Sequence, residues 1–148
     1  MKRLFITLLL GLLCHGAQAW DDGTAAEARA LVDRAAALMR DLGPERALAE
    51  INNPNGAFHY RDLYVTVYTQ RGRIVAHGAL PHLVGRNAWD WRDADDQFYV
   101  REIVARAQRG ETGPVDYTRV HPRSRQLRVK STWARLAGPY VIACGAFK

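Results

Sequence analysis

Leu63-Tyr64-Val65-Thr66-Val67-Tyr68, followed by Thr69-Gln70-Arg71-Gly72 and then Arg73-Ile74-Val75-Ala76-His77-Gly78, is the stretch from which the fold is read. Leu63, Val65 and Val67 recur with a period of two, and Tyr64, Thr66 and Tyr68 fill the alternate positions, so the segment is a strand with one apolar and one amphipathic face. The polar run ending in Gly72 suits a tight connection, and residues 73–78 form a second strand, giving an antiparallel hairpin.

Upstream the period changes to that of a helix. Thr24 and Glu27 have capping-box spacing, in which each side chain satisfies a backbone N–H left free at a helix start. Leu31, Ala35, Leu38, Met39 and Leu42 then make one apolar stripe. Gly43 stops this helix, and Pro44 opens a second that runs to about Ile51 with Ala47, Leu48 and Ile51 apolar. Residues 52–56, Asn-Asn-Pro-Asn-Gly, read as a turn.

Downstream of the hairpin, residues 79–96 hold Gly85, Asn87, Trp89, Trp91 and four Asp without periodicity, which predicts a long ordered excursion of the kind that carries function more often than a short turn does. Residues 97–109 form a third helix with Phe98, Ile103, Val104 and Ala107 on one stripe, ended by Gly110 and Gly113-Pro114. Residues 115–120, 127–133 and 140–147 alternate as three more strands. The result is an α+β domain with five antiparallel strands. Alternation puts Leu63, Val65, Val67, Leu127, Val129 and Trp133 against the long N-terminal helix. Tyr64, Thr66, Tyr68, Lys130 and Thr132 face the other way, beneath the 79–108 excursion.

The 148 residues open with Met1-Lys2-Arg3, an apolar run from Leu4 to Leu13, and Ala17-Gln18-Ala19. A basic start, a short apolar core and a small-x-small site are the marks of a cleavable secretory leader. The expected division is a signal peptide over 1–19 and one ligand-binding domain over 20–148, exported to the periplasm. The apolar run is too short to span a bilayer, and no later stretch is apolar enough, so no membrane span is expected in the mature chain. Lipid attachment at Cys14 is the less favoured alternative, because bulky Leu13 precedes it. Cleavage after Ala19 leaves Cys144 alone, which argues for a buried apolar thiol and against a disulfide framework.

Losing Lys2 and Arg3 lowers the formal charge from +6 to +4. The basic residues are dispersed among acids, so no nucleic-acid surface is expected. The chain has eighteen Arg and only Lys2, Lys130 and Lys148, so an internal Lys in a strand asks for a compact ammonium where Arg is used elsewhere. Beside a carboxylate ligand such a Lys gains a charge-assisted hydrogen bond. Tyr64, Tyr68 and Tyr117 offer rings with hydroxyls for a small polar ligand, with core packing as the competing role, above all for Tyr68. His77, at a strand end, can donate to a carboxylate or simply pack.

The acids around Trp89 and Trp91 lack the alternate ligand spacing of a calcium loop, and Asp95 and Asp96 read as helix-capping acids. Ser124 and Ser131 lie in no Gly-x-Ser-x-Gly elbow, zinc-protease and haem motifs are missing, and His59, His77, His82 and His121 are scattered. Neither an enzyme nor a cofactor or metal is expected.

Taken in order, Ala47-Leu48-Ala49-Glu50-Ile51-Asn52, Gly56-Ala57-Phe58, Asp62-Leu63-Tyr64-Val65, Gly72-Arg73-Ile74-Val75-Ala76-His77-Gly78, Gly85-Arg86-Asn87, Gly113-Pro114-Val115-Asp116-Tyr117, Lys130-Ser131-Thr132-Trp133 and Tyr140-Val141-Ile142-Ala143-Cys144-Gly145 resemble the single Cache sensor domains. The likeness covers nearly all of the chain after the leader. It implies a PAS-like five-stranded antiparallel sheet, with a long helix on one face and a small-ligand pocket on the other. It also implies small organic acids as a common ligand class. Family members usually stand between two membrane helices of a receptor, and this sequence departs from that pattern. The expected ligand residues are Tyr64, His77, Trp89, Tyr117 and Lys130, with Lys130 and His77 at the anionic end. The expected partners are a small carboxylate and a membrane signalling or transport protein. A ligand-free interaction module is the alternative, and a small periplasmic hydrolase the weaker one.

Overall fold

A capped helix leads into the sheet in the computed structural model, which describes residues 21–148. Helix α1 spans Ala25–Leu42. The Oγ1 of Thr24 accepts from the Glu27 N–H at 3.2 Å, and the Glu27 carboxylate accepts from the Thr24 N–H at 2.7 Å, so the capping box forms as read. Its buried stripe is Ala28, Leu31, Val32, Ala35 and Met39. Gly43, at φ 79°, turns the chain into α2, Pro44–Ile51, which buries Ala47 and Ile51. The leader and Cys14 lie outside the described residues.

The strands are β1 (His59–Tyr60), β2 (Leu63–Thr69), β3 (Ile74–His77), β4 (Val115–Val120), β5 (Leu127–Ala137) and β6 (Tyr140–Phe147), all antiparallel. The sheet order is β1-β2-β6-β5-β4, with β3 also paired to β2. The five expected strands are present. The sixth, β1, is two residues long and pairs with the start of β2. Strand β5 runs four residues beyond its expected end, because its ladder with β6 continues to the hairpin at Gly138.

Leu63, Val65 and Val67 meet Ile142, Cys144 and Ala146 beneath α1 and α2 in one core. The other face packs Tyr68, Ile74, Val141 and Ala143 against Val100, Ile103, Val104 and Ala107 of α3, Tyr99–Gln108. Leu127 and Val129 differ from expectation: they are 61% and 40% exposed rather than covered by α1. Alternation assigns a residue to a face; whether a helix reaches that far along the strand is a tertiary matter.

The excursion contains a 3₁₀ turn, Pro81–Leu83, and returns alongside β3, where the Ile74 N–H donates to the Arg86 carbonyl at 2.9 Å and the Gly85 N–H to the Ile74 carbonyl at 2.8 Å. Asp93 anchors its far end. One carboxylate oxygen accepts from the N–H groups of Asp95 and Gln97, and the other accepts from Thr118 N–H of β4 at 2.9 Å. Asp95 and Asp96 do not cap α3, whose first residue follows Phe98 without a side-chain cap. Asp95 instead accepts from the Thr118 hydroxyl, and Asp96 pairs with Arg92.

Candidate functional site

Between the α3 face of the sheet and the excursion lies a cavity of about 60 Å³. Residues at alternate positions of β2, β4 and β5 point into it: Tyr64, Thr66 and Tyr68, Tyr117 and Arg119, Lys130 and Thr132. His77 closes one end from β3, and Leu80, Leu83 and Trp91 come from the excursion. Gly145 of β6 leaves the floor open, since a Cβ there would stand 2.1 Å from Thr132 Oγ1 and 2.8 Å from Lys130 Cε. Any side chain at position 145 would have to displace Thr132 Oγ1 or Lys130.

Lys130 is 2% exposed. Its Nζ sits over the Tyr64 ring, 4.2 Å from the centroid, and 4.8 Å from that of Phe147. Both rings present their electron-rich faces to the ammonium. Among the described residues no carboxylate lies within 4.0 Å of this Nζ, whereas Lys148 pairs with Asp116 at 2.6 Å. Desolvation pushes the Lys130 pKa down, the neighbouring Tyr64, Tyr117 and Cys144 push it up, and the net direction is upward.

His77 is also buried, and its Nδ1 accepts from the N–H groups of Ala79 at 3.3 Å and Leu80 at 3.0 Å. Desolvation and the neighbouring Lys130 charge pull its pKa down to about 4. A neutral imidazole whose Nδ1 accepts must carry its proton on Nε2. His77 is therefore a fixed, uncharged donor at neutral pH. Its ring stacks on Tyr64 at 4.7 Å.

Tyr117 Oη lies 2.9 Å from Thr132 Oγ1, and its ring stacks on Tyr99 at 4.3 Å. Arg119 donates to Tyr99 Oη at 3.3 Å. Burial raises the pKa of Tyr68, Tyr99 and Tyr117, keeping all three phenols protonated as donors. The lining thus holds two cations, a neutral imidazole and several hydroxyls, with no acid among its residues. That set fits a small anion.

The structure gathers Tyr64, His77, Tyr117 and Lys130 around this cavity and leaves Trp89 out. The Trp89 ring packs against the Gly72 turn and beneath the Arg101 guanidinium, and Trp91, two residues on, lines the cavity. Sequence reading also passed over Tyr99, Arg119 and Gly145. Alternation from Tyr117 would have found Arg119, whereas Tyr99 needed the α3 start placed to within a residue.

A larger groove of about 540 Å³ between α1 and the end of α3 is lined by Arg29, Asp33, Glu111, Trp133 and Arg135 among others. It is open, and its charges are already engaged: Arg135 pairs with Asp33 at 2.8 Å and Arg29 lies over Trp133. A Ser-His-Asp contact occurs at the β4–β5 turn, with Ser124 Oγ 3.1 Å from His121 Nδ1 and His121 Nε2 3.1 Å from Asp22. His121 is fully buried, and its Nδ1 already accepts the Ser124 backbone N–H at 3.1 Å, which is the geometry of a turn.

A family model, Single Cache domain 2, matches residues 13–147. Similar solved structures include a methyl-accepting chemotaxis protein from Vibrio parahaemolyticus, with 18% identity, a TM-score of 0.69, and 82% of this chain and 86% of that one covered. A periplasmic sensor domain of a chemotaxis protein gives 23% identity and a TM-score of 0.62 over 82% and 88% of the two chains. A Cache chemosensory domain studied for carboxylic acid recognition gives 20% and 0.62 over 82% and 86%. These likenesses establish the fold. No curated protein sequence matches significantly. With the family model running over almost its whole length, on a sheet and covered cavity of the form the resemblance implied, the chain belongs to the Single Cache domain 2 family.

Proposed function

We propose that the domain captures a small monocarboxylate between Lys130 and His77 and serves as the sensing part of a periplasmic signalling or transport system. The observation that carries this reading is the buried Lys130 ammonium, which has no carboxylate partner among the described residues and faces a cavity. A buried charge without a counter-ion is costly, and a carboxylate supplies the missing one with a charge-assisted hydrogen bond. The Nε2–H of His77 donates to the second oxygen without bringing a second charge. Tyr64, Tyr117 and Trp91 enclose the remainder. A cavity of about 60 Å³ admits only a handful of non-hydrogen atoms, which favours acids of two to four carbons. The carboxylic-acid-recognising Cache domain of similar fold supports the class.

The role is binding rather than catalysis, since the cavity holds donors and cations but no nucleophile paired with a base. Export through the 1–19 leader puts the mature domain, 20–148, where such acids arrive. No described helix is long and apolar enough to cross a membrane; in this reading the signal passes to a membrane partner.

The test is a thermal-shift titration of the untagged protein with acetate, propionate, butyrate, benzoate, amino acids and amines. A ligand that binds only the folded state raises Tm with the logarithm of its concentration. A rise confined to the short acids and lost in Lys130→Met is expected. No rise with any acid at millimolar concentration, or a rise that survives Lys130→Met, overturns the reading.

A further inference from the structure

Three polar side chains from distant parts of the sequence converge where the chain enters α1: Asp22 before the helix, Asp62 just before β2 and His121 after β4. Each offers one ligand atom, and the three atoms lie within 4.8 Å of one another. Asp62 is 3% exposed, and its Oδ2 is buried without a hydrogen-bond partner among the described residues. A buried carboxylate oxygen left unpaired is expensive, and the few that persist ask for a cause such as an ion.

The remaining atoms of the cluster are tied by neighbouring groups. Asp62 Oδ1 accepts from the Gly23 N–H at 2.5 Å. Asp22 Oδ2 accepts from Arg128 Nη1 at 2.6 Å, which leaves Oδ1 toward His121 Nε2 at 3.1 Å. His121 Nδ1 faces Ser124 Oγ and N, each at 3.1 Å. Asp22 and His121 are thus held by their neighbours, and Asp62 Oδ2 is the buried atom of the cluster with no hydrogen-bond partner among the described residues.

We infer that Asp22, Asp62 and His121 form a site for a divalent transition metal, Zn²⁺ by preference, that fastens the start of α1 to β2 and to the β4–β5 turn. One imidazole nitrogen with two carboxylate oxygens suits Zn²⁺, with water as the fourth ligand, whereas Ca²⁺ and Mg²⁺ ask for oxygen alone. The metal takes the place of the proton between His121 Nε2 and Asp22. That proton moves to Nδ1, where the Ser124 hydroxyl accepts it, at the cost of the bond from the Ser124 N–H. The site stands apart from the Lys130 cavity and does not rest on acid binding. The Phe147 ring separates the two, 4.7 Å from the His121 ring and 4.8 Å from Lys130 Nζ.

Calorimetric titration of untagged, chelator-treated protein with Zn²⁺ tests the inference. One equivalent is expected to bind, with affinity falling at least about tenfold in Asp62→Asn, which keeps the Gly23 contact, and unchanged in Lys130→Met. X-ray absorption at the zinc edge of the native protein is expected to show one imidazole and an oxygen shell, a readout that stands even if Asp62→Asn fails to fold. Failure to bind Zn²⁺, undiminished binding by a folded Asp62→Asn, or a shell with more than one imidazole or with sulfur overturns it.

Discussion

The two faces of the sheet are made from the same six strands and solve opposite problems. On the α1 face the inward residues are Leu63, Val65, Val67, Ile142, Cys144 and Ala146, an apolar layer whose burial stabilises the domain. On the α3 face the same strands turn Tyr64, Thr66, Tyr117, Lys130 and Thr132 inward around a cavity. The first face is filled and uncharged, the second keeps a buried cation and open space, and both cost stability. The difference teaches that this sheet carries its stability on one side and its chemistry on the other.

That division can be broken most forcefully from the helix face. Ile142→Ala, at a fully buried position, is expected to cost about 3 kcal/mol in urea unfolding while leaving acid affinity of the folded protein unchanged. An affinity loss matching the stability loss would show that the faces are not independent. Lys130→Met is the reverse experiment. Acid affinity in calorimetry is expected to fall about a hundredfold, close to 2.7 kcal/mol, with a smaller change in unfolding stability than in Ile142→Ala.

His77 sharpens the comparison through pH. Its folded pKa of about 4 lies below the 6.5 of an unperturbed imidazole, so the unfolded chain binds the extra proton first. The contribution is complete above about pH 6.5 and is lost as pH falls toward 4, amounting to about 2 kcal/mol between pH 7 and 5. In His77→Gln this limb should disappear from urea unfolding measured across that range. Acid binding by the native protein should not change between pH 6 and 8, because His77 stays neutral there. The smallest effect is expected at the uncovered end of the helix face. Leu127→Thr, at a site 61% exposed, should change stability by no more than about 0.5 kcal/mol.

Much of this arrangement is written locally. The capping pair Thr24 and Glu27, the alternation of 63–68, and the bounds of β4 and β6 follow from patterns of two to eight residues, and the structure reproduces them. Tyr64, Tyr117 and Lys130 could be placed on one face because period-two alternation carries from strand to strand once the pairing is antiparallel. Trp89 against Trp91 could not be settled this way. An irregular segment has no period, so which of two nearby indoles turns inward depends on how the loop closes over the sheet. The same holds for Asp93, whose role comes from Thr118 on a strand 25 residues away.

Local periodicity and capping chemistry therefore establish the elements, their faces and the oddity of a single internal Lys among so many Arg, because those features depend on neighbours in the chain. The size of the cavity, the tautomer of His77, the exposure of Leu127 and Val129, and the meeting of Asp22, Asp62 and His121 depend on neighbours in space. Those contacts exist only after helices and strands have docked, since packing brings together residues as much as 106 positions apart.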